Sequence, residues 1–204
     1  MKRLTKQSLN ELAQTMPTLS EQEQSICIGG DIVIMDQMGN VLSTTPSDEN
    51  KIFVKTPNGA QTGIWIDIPT GMEAGSYDYN MGSDGTGTGV AFRGQGSSFA
   101  DEENFFKQLS RATDVEWALA SSRENGNGVV FSSNMQTGVF IDAAYSGGYD
   151  TLYHNHRTRV GDYDYEEVSP SDREVMDNIR NKHGYKDYVN FGIYIEEDDS
   201  YVEY

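Results

Sequence analysis

Two histidines, His154 and His156, stand two residues apart in the stretch YHNHRTRVGDYDYEEVSPSD. On a β-strand, residues i and i+2 project from one face, so both imidazoles emerge together. Zinc takes nitrogen and oxygen donors in a tetrahedron, and two such rings supply half of it. Asp172, at the end of the same stretch, is the candidate third ligand. A catalytic zinc commonly has three protein ligands, with a water in the fourth position whose pKa falls toward about 7. Hydrolysis then needs a carboxylate to accept a proton, and Glu116, near the start of a strand that follows a helix, is the candidate. The same residues also have a plainer reading. H-x-H occurs on ordinary surface strands, while Ser169, Pro170 and Asp172 suit the N-cap, N1 and N3 positions of a helix. The two readings are compatible, because a cap fixes Asp172 on the first helical turn, where a ligand would be rigidly held.

Several elements must position these side chains. FADEENFFKQLSRAT places Phe105, Phe106 and Leu109 on one helical face, with Asp101, Glu102 and Glu103 at the end where the helix dipole favours acids. VEWALASS and GVVFSSN read as strands joined by the turn RENGNG, TGVFIDAAY as a third strand and TLYHNH as a fourth. A helix over SPSDREVMDNIRNKHG should close at Gly184, with His183 beside its C-terminal dipole. YVNFGIYIEEDDSYVEY ends the chain as a strand pair turning at the acidic run. The pattern is α+β. Upstream, residues 31–70 read as a small β-rich segment of short strands, the last of them GIWIDIP. Residues 71–98 are glycine-rich and read as a loop or linker. GTGTGV lacks the spacing of a nucleotide loop, and Asp78, Asn80 and Asp84 lack that of an EF-hand.

The order helix, Glu-bearing strand, further strands, H-x-H, S-x-x-D and closing strand resembles the JAMM zinc metalloprotease family, with its E…H-x-H…S-x-x-D signature. The likeness is nearest to the JAB-like domains of bacterial polymorphic toxins and spans residues 99–204. It implies a central mixed β-sheet flanked by helices, the architecture shared with cytidine deaminases. It also implies a Zn2+ cofactor held by His154, His156 and Asp172. Glu116 would be the general acid/base, and Ser169 would stabilise the tetrahedral oxyanion. The implied reaction is cleavage of a peptide or isopeptide bond in a protein or peptide substrate. Two departures stand out: Arg157 replaces the family's proline after the second histidine, and the interval from His156 to Ser169 is longer than usual. The family also contains metal-free members, so a catalytically inactive binding module is the alternative.

Composition narrows the classes. The net charge is -17, with 32 acidic and 15 basic residues, so the chain has no evident means of neutralising phosphates; nucleic-acid binding is not expected. No apolar run reaches the roughly 18–20 residues of a membrane span. The one cysteine, Cys27, excludes an intramolecular disulfide. Residues 1–30 differ from the rest. LTKQSLNELAQTM suits an amphipathic helix, and LSEQEQSICIGG resembles the double-glycine leader of exported bacterial peptides at Leu19, Ser20, Glu23, Gly29 and Gly30. Two glycines would fit a narrow peptidase cleft because they carry no side chains. The plainer reading is an N-terminal helix with a glycine C-cap. The leader implies cleavage after Gly30, an export transporter as processing partner and a secreted product; a toxin would also call for an immunity protein.

Overall fold

The computed structural model describes residues 30–56, 62–94, 96–124, 126–136, 138–141, 149–156, 168–182 and 190–204. The expected leader helix and Gly29 therefore lie outside the described residues, as do His183 and Gly184. Among the described residues, two β-sheets and two α-helices make up the fold, in agreement with the α+β pattern.

The first sheet has four strands: β1 (Asp31–Met35), β2 (Val41–Pro46), β3 (Lys51–Lys55) and β4 (Gly63–Asp67), in the order β2-β1-β3-β4. Its pairings are antiparallel except β1 with β3. Alternation is clear: Val33, Met35, Ile52, Val54 and Ile66 point inward and are buried. They pack on helix α1 (Phe99–Ala112), whose Phe105, Phe106 and Leu109 are buried as the sequence periodicity requires. The other side of α1 rests on a seven-stranded sheet formed by β5 (Met72–Asn80), β6 (Thr86–Gly94), β7 (Ala118–Ser122), β8 (Gly126–Ser132), β9 (Thr151–Asn155), β10 (Asn190–Ile195) and β11 (Ser200–Glu203). Its order is β11-β10-β9-β7-β8-β6-β5, with β9 and β10 parallel and the rest antiparallel. One cluster, from Val33 through Phe92 and Phe106 to Trp117, fills the space between the sheets, so the core runs unbroken across positions 70 and 98. The small sheet covers the α1 side of the large sheet, and β5 and β6 are strands of the large sheet itself.

Helix α2 (Pro170–Asp177), continued by one π-helical turn (Asn178–Lys182), lies on the opposite side. Val175, Met176 and Ile179 meet Leu152, Phe191, Ala118 and Ala120 there in a second cluster. The mixed sheet is thus flanked by helices on both faces.

Two expectations need correction. The glycine-rich segment 71–98 is not a loop or linker: it forms the nine-residue strands β5 and β6, with a short 3-10 turn (Gly82–Asp84) between them. Gly89 and Gly87 stand directly opposite Tyr77 and Tyr79, and a Cβ at either glycine would run into the facing ring. The glycines make room for cross-strand aromatics within a strand, a packing role that composition does not distinguish from a turn. Second, the described part of TGVFIDAAY, residues 138–141, is not a strand. Phe140 stacks on Tyr79 at 4.6 Å, its N–H donates to Ser133 Oγ, and its carbonyl accepts from Tyr77 Oη. Its apolar residues pack on the sheet's face instead of joining its edge.

Candidate metal centre

β9 runs between β7 and β10, so its backbone is held on both sides. Leu152 and His154 share the α2 face: Leu152 is buried and His154 sits where the strand leaves the cover of α2's apolar residues. His156 follows the strand's last residue and turns toward His154, bringing the two Nε2 atoms to 3.0 Å.

The start of α2 supplies the carboxylate. Ser169 has an extended backbone (φ -69°, ψ 159°) and Pro170 follows in the first turn. The capping box is complete: Asp172 N–H donates to Ser169 Oγ at 3.2 Å, and Ser169 N–H donates to Asp172 Oδ2 at 2.8 Å. These bonds fix the Asp172 carboxylate over β9. Its Oδ1 lies 3.2 Å from His154 Nε2, and its Oδ2 lies 3.5 Å from His156 Nε2.

His154 Nε2 therefore has His156 Nε2 at 3.0 Å and Asp172 Oδ1 at 3.2 Å, while His156 Nε2 has the other carboxylate oxygen, Oδ2, at 3.5 Å. Bonds of about 2.0–2.1 Å at tetrahedral angles would separate zinc's ligand atoms by roughly 3.3–3.4 Å. The three side chains converge on the scale of such a site, one ligand atom from each lying within 4.8 Å of the others, and they are the grouping of metal-binding side chains found among the described residues. Protonation favours the same use. Burial pushes the His154 imidazole below its usual pKa, only partly offset by hydrogen bonding to and the charge of Asp172, and the neutral ring is the form that binds metal. Burial alone would raise the Asp172 pKa, but hydrogen bonds from both histidines and from Ser169 outweigh it and hold the group well below the carboxylate range.

Glu116 lies on the neighbouring strand's approach. β7 pairs with β9 so that Ala118 faces His154, and the Trp117–Asn155 pair is joined by two hydrogen bonds. Glu116 precedes Trp117, so it lies just before β7 at the end of the sheet where β9 runs out. The Glu116 backbone is anchored at both ends, its N–H donating to the Met135 carbonyl and its carbonyl accepting from Ser132 Oγ. The residue is only 7% exposed. It is not one of the three converging donors. Ser169 enters the cap as an acceptor, which does not use its O–H donor.

The sequence reading missed two neighbours of the centre. Asn155, between the histidines, is fully buried and hydrogen-bonded to Trp117, just before β7, and to Glu196, just after β10. An Asn in a strand of otherwise β-compatible residues was the available signal. Tyr204 packs on Phe191, and its hydroxyl is raised in pKa by burial and then by the Asp172 charge. Nothing in the sequence links the last residue to Asp172.

No helix among the described residues is long and apolar enough to cross a membrane. Compared with known proteins, the chain matches no family model, no curated protein and no solved structure.

Proposed function

We propose that this chain is a zinc-dependent peptidase or isopeptidase of JAMM type, acting as an exported bacterial effector or toxin. The observation that carries the reading is the convergence of His154, His156 and Asp172, brought together from a strand and a helix start and close enough to share one metal ion. His154, His156 and Asp172 would hold the ion. When bound, zinc supplies a Lewis acid and acidifies water at neutral pH. Glu116 would take a proton from the attacking water as the C–O bond forms, then deliver it to the leaving nitrogen as the C–N bond breaks. The Ser169 O–H would donate to the carbonyl oxygen as negative charge develops on it. The net charge of -17 favours a substrate or immunity partner with a basic surface.

Export would follow removal of residues 1–30 by a leader-processing transporter. The Gly30 carbonyl accepts a hydrogen bond from Ser47 N–H at 2.9 Å, and β1 begins at the next residue. The Gly30–Asp31 bond is therefore tied into the sheet, and cleavage should precede folding. Mass spectrometry of the exported chain should give an N-terminus at Asp31; an intact N-terminus would remove the leader reading.

Elemental analysis of the purified chain tests the centre. The expected result is about one zinc per chain, lost in the His154→Ala/His156→Ala variant. Glu116→Gln should keep the zinc and lose cleavage of a peptide or isopeptide library; loss of one oxyanion donor in Ser169→Ala should lower kcat by about 100- to 1,000-fold. Absence of zinc from the parent after zinc is supplied would overturn the proposal.

A further inference from the structure

We infer that Asn155 is a positioning residue that shapes the metal centre and ties it to Glu116. The inference rests on the metal reading above. In a regular strand, positions i and i+2 are separated by about 6.6–6.8 Å and their side chains stand roughly parallel. His154 and His156 depart from this: their rings are tilted by 58° and their Nε2 atoms are 3.0 Å apart. The residue between them provides the departure. Asn155 N–H donates to the Trp117 carbonyl at 3.2 Å, as a ladder residue should. The reciprocal bond is different: Trp117 N–H donates at 2.7 Å to the Asn155 side-chain Oδ1, not to its backbone carbonyl. The side chain thus replaces the main chain in the ladder, and the backbone leaves the strand to swing His156 back over His154.

The same side chain also reaches the other neighbour. Asn155 Nδ2 donates to Glu196 Oε1 at 3.1 Å, just past the end of β10. One fully buried amide therefore spans the ends of the adjacent strands β10, β9 and β7. Trp117 immediately follows Glu116, so the bond to Trp117 N–H ties the Glu116 backbone to the residue between the two histidines. Because Asn155 has no access to solvent, water cannot replace either bond without rearrangement. Groups that orient metal ligands from outside the ligand set typically change affinity or activity by about 10- to 100-fold.

Cobalt(II) titration of the full-length chain tests this, because affinity and the visible absorption spectrum report ligand geometry independently of turnover. Asn155→Ala should bind cobalt about 10- to 100-fold more weakly than the parent, with a changed spectrum. Asn155→Asp keeps the acceptor for Trp117 N–H but sets a carboxylate against Glu196, and should fall between the two. If the alanine variant does not fold, the aspartate variant carries the test. Parent-like affinity and spectrum in the folded alanine variant, or in the aspartate variant where the alanine one fails to fold, would overturn this inference and leave the metal reading standing. A variant with a lower Tm but an unchanged spectrum would also overturn it, by reducing Asn155 to a stability role. A parent chain that takes up no cobalt overturns both.

Discussion

The two α-helices start in the same way and end up with different duties. Both open on S-x-x-D, Ser98 to Asp101 in α1 and Ser169 to Asp172 in α2. Both serines have an extended backbone and accept a hydrogen bond from the aspartate N–H at 3.2 Å. Asp101 faces solvent. Asp172 faces two histidines. The motif therefore builds a rigid carboxylate, and the strand opposite decides whether that carboxylate is only a cap. The largest contrast should come from removing each aspartate. Asp172→Ala deletes one of three donors and should abolish stoichiometric zinc binding, whereas Asp101→Ala should bind like the parent. Equal affinities from competition with a chromogenic chelator would break the distinction.

The buried carboxyl at the first helix is a different residue, Glu102, next to the capping aspartate. It is fully enclosed and accepts hydrogen bonds from Ser97 Oγ, Ser121 Oγ and Gly128 N–H. A Cβ at Gly128 would collide with it, so the glycine is shaped to its carboxyl. This cluster pins the start of α1 to β7 and β8, on the side of the sheet away from the histidines. Glu102→Ala leaves three donors without an acceptor and should destabilise the fold by about 3–5 kcal/mol. Zinc affinity of the folded fraction should not change. Chemical denaturation gives the first quantity and cobalt titration the second; a loss of affinity would show that the two helix starts are coupled through the sheet.

Zinc itself should discriminate between them at an intermediate scale. A ligand that binds only the folded state at 100 times its Kd stabilises it by about 2.7 kcal/mol. For a chain of this size that corresponds to a Tm rise of roughly 5–11 °C. The rise should persist in Asp101→Ala and vanish in Asp172→Ala. No rise in the parent would leave the α2 start with the same duty as the α1 start.

What could be read in advance follows from this comparison. The caps, the apolar face of α1 and the H-x-H pair are local patterns, and local sequence carries them: Phe105, Phe106 and Leu109 are buried, and the capping box at Ser169 is complete. The convergence of His154, His156 and Asp172 was legible only because spacing on a strand and position on a first turn each fix direction. Long-range pairings were not legible. Nothing local shows that Gly87 and Gly89 lie beneath Tyr79 and Tyr77, so β5 and β6 read as a loop. Glu102 reads as a dipole-favoured surface acid because its three donors come from residues 97, 121 and 128. Asn155 reads as the variable residue of H-x-H, since its partners Trp117 and Glu196 are distant in sequence, just before β7 and just after β10.

The smallest effect on stability and metal affinity is expected from the cap serines, and it isolates the shared part of the two starts. Ser98→Ala and Ser169→Ala each remove the acceptor for an aspartate N–H, at a cost of about 1 kcal/mol of stability. The reciprocal bond in α2 survives, because alanine retains the backbone N–H that donates to Asp172 Oδ2. The carboxylate should therefore stay aimed at the histidines, and cobalt affinity in Ser169→Ala should remain within about threefold of the parent. Matching losses in denaturant midpoint with unchanged affinity would show that the serine builds the turn while the backbone N–H aims the ligand. A large affinity loss in Ser169→Ala alone would instead place the hydroxyl in control of Asp172, and the two caps would no longer be equivalent even as caps.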